Sequence, residues 1–280
     1  MPSLPRHARL PINRCNLPAD ILGGLTFQRY PAPLFIDGVV DMNRQLFEAL
    51  ERMPEREARA QRFADYMVVR FRLENLEDLG FSPAAAADAQ AGRSSSRVRA
   101  RSSYLRCVRG WAFDADGREG AVLKAWVESR FGLLTRYHGG VLADPDSNTY
   151  RHFQEARSAG LYGTSALEAQ LDLLYAYAQY ELGRKYVPET HIVLYRGVNR
   201  LDAYERLTEP DKGRVVVLLN NLNSFSLSRE RACEFGDYIL EARVPLTKIF
   251  FYAGLFPGLL AGENEFAVLG GLYEVAIARY

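Results

Sequence analysis

The sequence predicts an α+β protein with a helical N-terminal half, residues 1–188, and a C-terminal β-core, residues 189–280. Three observations carry the prediction. Up to about residue 187, apolar residues recur at three- and four-residue spacings. After Pro188 the spacing drops to two. The change happens once, helices first and strands second, which is the order of an α+β rather than an alternating α/β architecture. With 280 residues, 48% of them apolar, the chain can bury a sizeable core.

In order along the chain, 41–53 places Met42, Leu46, Phe47, Leu50 and Met53 on one helical face. Pro54 breaks that helix, and 55–76 resumes with Phe63, Met67, Phe71 and Leu73. Residues 82–103 are low in complexity and read as a mobile loop. A further helix over 120–137 carries Val122, Ala125, Trp126, Ser129 and Leu133. The best-marked helix opens at Ser165, whose hydroxyl and Glu168 make a capping box, and runs through Leu171, Leu174, Ala178 and Leu182 to stop before Pro188. Strands follow at 191–195, 215–219, 238–244, 248–252, 265–269 and 273–278, the last two joined by a Gly270-Gly271 turn. A short helix over 228–235 interrupts them.

Composition narrows the function. Thirty-five basic and 34 acidic residues give a net charge of +1, which argues against a dedicated nucleic-acid binder. The average hides a segment, 89–113, with six arginines (93, 97, 99, 101, 106 and 109) and no acid. That segment reads either as a solvated loop or as a docking arm for an acidic partner. Only four of the basic residues are lysines, a bias that a GC-rich coding sequence explains better than function does. Cys15, Cys107 and Cys233 form no C-x-x-C pair, hence neither a disulfide framework nor a zinc site is expected. The four histidines lack metal spacing, so no metal is expected. The proline-broken N-terminus is not a signal peptide, and the longest apolar run, 249–261, falls short of the ~20 residues a membrane span requires. A cytoplasmic protein with no membrane contact is the expectation. Rossmann, P-loop and nucleophile-elbow glycine patterns are all missing.

Three small features remain in the β-rich region: Arg196-Gly197 at the end of a strand, Ser224-Phe225-Ser226 after another, and Glu263-Asn264-Glu265 entering a third. Singly, they read in turn as a surface ion pair, a turn or helix cap, and two solvated charges. Together they bring an arginine fork suited to pyrophosphate and two carboxylates roughly 7 Å apart on one strand face.

This ordered trio resembles the signature of the arginine-specific mono-ADP-ribosyltransferases, with Ala232 and Phe235 in supporting positions. Longer stretches, among them LRCVRGWAFDADGREGAVLKAWVESRFGLL and VVVLLNNLNSFSLSRERACEFGDYILEARVPLTKIFF, are similar to the dinitrogenase reductase ADP-ribosyltransferases. Two positions are looser than the family pattern: Phe225 stands where Thr is usual, and Asn264 lies between the glutamates.

The resemblance implies a catalytic core of two packed sheets cradling NAD, forming one compact unit with the helical half. It implies transfer of ADP-ribose from NAD to an arginine of the nitrogenase iron protein, which inactivates nitrogenase. A PII-type signalling protein is implied as a possible regulator. By the same match, Glu265 stabilises the oxocarbenium character that develops as nicotinamide leaves. Glu263 is the base that readies the acceptor guanidinium, which otherwise stays protonated. Ser224 orients Glu265, Arg196 contacts the NAD phosphates or the adjacent ribose, and Gly197 and Ser226 complete the NAD-binding set. The competing readings are an NAD glycohydrolase using the same site and a catalytically inactive partner-binding module.

Overall fold

Leu46 and Leu50, one turn apart, are buried on the face that the 41–53 periodicity predicts, but the chain folds there as two helices. In the computed structural model, which describes residues 2–73, 103–161, 166–202, 204–208, 213–257 and 264–279, α3 (Val39–Met42) and α4 (Arg44–Glu51) meet at Asn43. The buried Asn43 amide donates to the Val39 carbonyl at 2.7 Å, a local side-chain bond that competes with continuous helix. Two short helices, α1 (Ala19–Leu22) and α2 (Leu25–Arg29), precede them. The next helix, α5 (Arg56–Phe71), ends at Arg72 in the left-handed region, φ 52°. The expected mobile segment 82–103 lies almost wholly outside the described residues.

Beyond it, α6 (Tyr104–Phe113) and α8 (Asn148–Leu161) are helices that the sequence reading leaves unassigned. In α6 the stripe Tyr104, Leu105, Cys107, Val108 and Trp111 is buried, although arginines interrupt it in the sequence. In α8 only Phe153 and Gly160 are buried, too sparse a pattern to register. Helix α7 (Arg118–Phe131) stops at Gly132, φ 68°, six residues before the expected end. Leu133 therefore leaves the helix and bridges to Arg9. The long helix α9 (Ala166–Lys185) buries residues all round its axis and packs on the sheet. Ser165, the expected cap, lies outside the described residues; Glu168 accepts from Arg130 Nη1 at 3.0 Å.

The strands are β1 (His191–Val198), β2 (Glu205–Arg206), β3 (Arg214–Ser226), β4 (Tyr238–Pro245), β5 (Ile249–Tyr252) and β6 (Glu265–Arg279), with α10 (Arg229–Cys233) between β3 and β4. They form one hydrogen-bonded sheet, β2-β3-β1-β4-β6-β5, in place of the two packed sheets expected. An additional β3–β6 pairing closes β1, β4, β6 and β3 into a ring. Both long strands run the length of the ring, pairing from Arg214↔Ala276 to Ser226↔Glu265 with an irregularity between Leu219 and Leu222.

The Gly270-Gly271 pair is not a turn. It lies inside β6, where a Cβ on Gly270 would overlap the Asn220 carbonyl at the β3 irregularity, and Gly271 takes φ 107° against Gly23. These glycines let the strand bend through a crowded crossing. Buried residues from the helices and the sheet form one large contiguous cluster, with a small separate one of Ala121, Ala125 and Phe153.

Candidate active site

Arg196 and Gly197 fall within β1, and Ser224 to Ser226 are the last residues of β3, rather than a strand end and a turn as the sequence suggests. Glu265 opens β6 directly opposite Ser226. The β3–β6 register thus brings Ser224 to the Glu265 carboxylate, and the Ser224 hydroxyl donates to Oε1 at 2.5 Å. Glu265 is only 9% exposed. Arg196 donates from Nη1 to the Ser224 carbonyl at 2.7 Å and from Nε to the Tyr204 hydroxyl at 3.2 Å. Among the described residues these are its two hydrogen bonds, out of five N–H donors that a guanidinium offers. The rest of the fork is available to an anion.

These groups line a cleft of about 460 Å³ whose walls include Trp111, Tyr195, Gly197, Arg231, Ala232 and Phe235. Gly197 is required by close approach: a Cβ there would overlap the Ala232 carbonyl of α10. Ser228 caps α10 by accepting from the Arg231 amide at 3.1 Å, which fixes the helix over the cleft. Ser226 reaches the cleft wall, but its hydroxyl already accepts from the Ser228 amide at 3.1 Å. That bond makes Ser226 a support for the β3–α10 turn. Glu263 lies outside the described residues. Asn264, beside it, has φ 46°, a left-handed conformation that asparagine tolerates better than most residues.

A second compartment of about 380 Å³ adjoins the first, sharing Trp111, Ala115, Arg196 and Ser224 and adding Asp116, Lys124, Tyr137, Tyr204, Asn220 and Asn223. Lys124 donates to Asp116 at 2.5 Å and stands 3.4 Å from Nδ1 of His138. Burial pushes the Lys124 ammonium below its ordinary pKa, against the pull of Asp116. Burial would raise the Asp116 carboxyl, but the adjacent ammonium outweighs it and the net shift is downward. His138 is pushed down, first by burial and then by Lys124. Among the described residues no cluster of three or more His, Cys, Asp or Glu side chains is arranged to hold a metal. No described helix is long and apolar enough to cross a membrane.

Sequence reasoning missed Trp111. Its indole Nε1 donates to the same Glu265 oxygen at 2.8 Å. The available signal was the apolar spacing Tyr104, Val108, Trp111, which puts the indole on the buried face of a helix.

A family model described as "Dinitrogenase reductase ADP-ribosyltransferase (DRAT)" matches residues 12–277. A Rhodospirillum rubrum protein named NAD(+)--dinitrogen-reductase ADP-D-ribosyltransferase is 38% identical over 265 residues, spanning 94% of this chain and 93% of its own length. No solved structure matches. With a family match over nearly its whole length and a relative of that identity, the chain belongs to the dinitrogenase reductase ADP-ribosyltransferase family.

Proposed function

We propose that this chain transfers ADP-ribose from NAD to an arginine of dinitrogenase reductase, the nitrogenase iron protein, and so inactivates nitrogenase. The observation that carries the reading is the convergence of Arg196, Ser224 and Glu265 on one cleft, in a chain of this family. NAD is the substrate, cut at the bond between the nicotinamide ring and C1′ of its ribose.

The chemistry follows from what each group can do. As the bond to nicotinamide lengthens, positive charge grows on the ribose, and the buried Glu265 carboxylate lowers the energy of that charge. Ser224 holds the carboxylate in one orientation. The free donors of Arg196 bind the pyrophosphate in a planar fork. The dinucleotide spans both compartments, which meet at Arg196. Gly197 offers backbone atoms to the nicotinamide amide where a larger residue would displace α10. Glu263 takes the proton from the acceptor guanidinium, whose nitrogen then bonds to C1′. The helical region and the β-core act as one unit in the cytoplasm. The resemblance alone adds a PII-type regulator.

The test is incubation with purified iron protein and NAD labelled in its adenylate half. Label bound to an arginine of the iron protein, with one nicotinamide released per transfer, is the expected result. Label recovered only as free ADP-ribose would make the chain a glycohydrolase. No cleavage at all would leave a binding module.

A further inference from the structure

We propose that Trp111, contributed by the helical part of the chain, is a positioning residue for the Glu265 carboxylate. The inference rests on the reading of Glu265 as the group that faces the NAD ribose.

Two donors meet on Oε1 of Glu265: the Ser224 hydroxyl at 2.5 Å and the Trp111 indole N–H at 2.8 Å. They arrive from different elements. Ser224 sits on β3, the strand paired with β6, whereas Trp111 stands near the C-terminal end of α6, 154 residues before its partner. A hydroxyl rotates about its own bond, so a single serine leaves the carboxylate free to swing around one contact. The indole cannot swing in this way. Its N–H lies in the plane of a bicyclic ring, and that ring is 2% exposed and forms part of the wall of both compartments. Two donors from independent elements therefore fix the position and the plane of the carboxylate together.

The choice of donor also suits the task. An indole N–H only donates, so it cannot take up a proton or compete as a base. Hydrogen bonding to an ionised carboxylate favours that form. Ser224 and Trp111 are both neutral, so they hold the carboxylate in place without adding a positive charge beside it. A cation in either position would offset the negative charge that is to meet the positive charge growing on the ribose.

A wall residue that merely packed against NAD would need the ring and not the N–H. The test separates these roles. Replacing Trp111 by β-(3-benzothienyl)alanine keeps the bicycle and substitutes sulfur for the N–H; Trp111→Phe is the genetically encoded companion. In both, kcat for nicotinamide release is expected to fall 10- to 100-fold while the KM for NAD changes less than threefold. The acid limb of the kcat–pH profile should move to higher pH. The melting temperature of the benzothienyl protein should stay within a few degrees of the parent. In a cycle with Ser224→Ala, the two losses should be non-additive, because both donors act through one oxygen.

A benzothienyl protein with parental kcat and an unmoved acid limb would overturn the proposal. A rise in KM alone would do the same and would make Trp111 a binding wall. Glu265→Gln run in parallel keeps the two readings apart. If it releases nicotinamide normally, the assignment of Glu265 fails, and the role of Trp111 fails with it. If Glu265→Gln is inactive and the Trp111 variants are normal, only the Trp111 inference fails.

Discussion

Glu181 on α9 and Glu265 at the head of β6 are both buried carboxylates, 2% and 9% exposed, yet the two regions hold them by different means. Glu181 receives Arg59 in a bidentate pair, Nε at 2.7 Å and Nη2 at 2.8 Å. The remaining face of that guanidinium donates to the carbonyls of Met53 and Pro54. The hydrogen bond to Glu181, above all, holds the Arg59 guanidinium above its already high pKa. Charge and geometry are both satisfied between α5 and α9. At the cleft, the two described donors to Glu265, Ser224 and Trp111, are neutral and meet on one carboxylate oxygen. The contrast separates a carboxylate that joins two helices from one that, in the proposed mechanism, meets a developing cation.

Glu265→Gln breaks the functional side of this comparison and carries the largest expected effect. The amide oxygen still accepts from Ser224 and Trp111, so the fold should lose no more than about 1 kcal/mol. Nicotinamide release should fall about a thousandfold, the scale on which a lost electrostatic stabiliser costs a transition state. Steady-state nicotinamide production alongside urea denaturation checks both halves.

Glu181→Ala breaks the structural side. It strands the Arg59 guanidinium in the interior, and loss of one partner of a buried pair costs about 3–5 kcal/mol. Equilibrium unfolding should record that loss, while turnover per folded molecule stays at the parental value. A fall in turnover in fully folded Glu181→Ala protein would mean that the α5–α9 interface also serves catalysis.

The extent to which the sequence revealed these two regions follows from where the partners lie. The convergence of Arg196, Ser224 and Glu265 on one cleft is legible because a short ordered signature carries all three, although β1 and β3 extend further along the chain than the strands the periodicity predicts. Trp111 was not legible as a site residue, because its bond to Glu265 exists only once α6 has docked on the sheet. The Arg59–Glu181 pair is equally long-range and was also missed. Helix α9 was the clearest element because an unbroken apolar pattern left no alternative period. The continuity of β6 was hidden by Gly270-Gly271, a pair that in isolation signals a hairpin. Only the proximity of Asn220 and Gly23 shows why a strand needs two glycines there. Asn43 hid in the same way, since its amide ends a helix that the apolar spacing alone would continue.

Gly197→Ala tests how far the cleft depends on backbone fit, with a smaller effect. The new methyl meets the Ala232 carbonyl, so α10 must shift away from β1. Overpacking of this kind costs on the order of 3 kcal/mol. Because Arg231, Ala232 and Phe235 line the cleft from that side, the KM for NAD should rise together with the loss of stability. A destabilised variant with unchanged KM would show that NAD does not lean on α10.

Lys248 sharpens the comparison with a third arrangement, a fully buried amine with no carboxylate partner among the described residues. Its Nζ donates to the Gly270 carbonyl at 2.5 Å and lies 4.6 Å from the centre of the Tyr273 ring. Burial pushes its pKa from 10.5 down to about 7. Below pH 7 the amine is charged in both the folded and the unfolded chain, and the folded state carries the full cost of the buried ammonium. Between about pH 7 and 10.5 the unfolded chain keeps a proton that the folded chain has released, so stability rises with pH across that window. From pH 7 to pH 9 this contribution is on the order of 2 kcal/mol. Lys248→Met fills similar volume and removes the titration. The difference in unfolding free energy between the two proteins should therefore favour the variant most near pH 6 and shrink toward pH 9. A difference that stays flat across this range would mean that water or an unseen partner keeps the ammonium charged in the folded state.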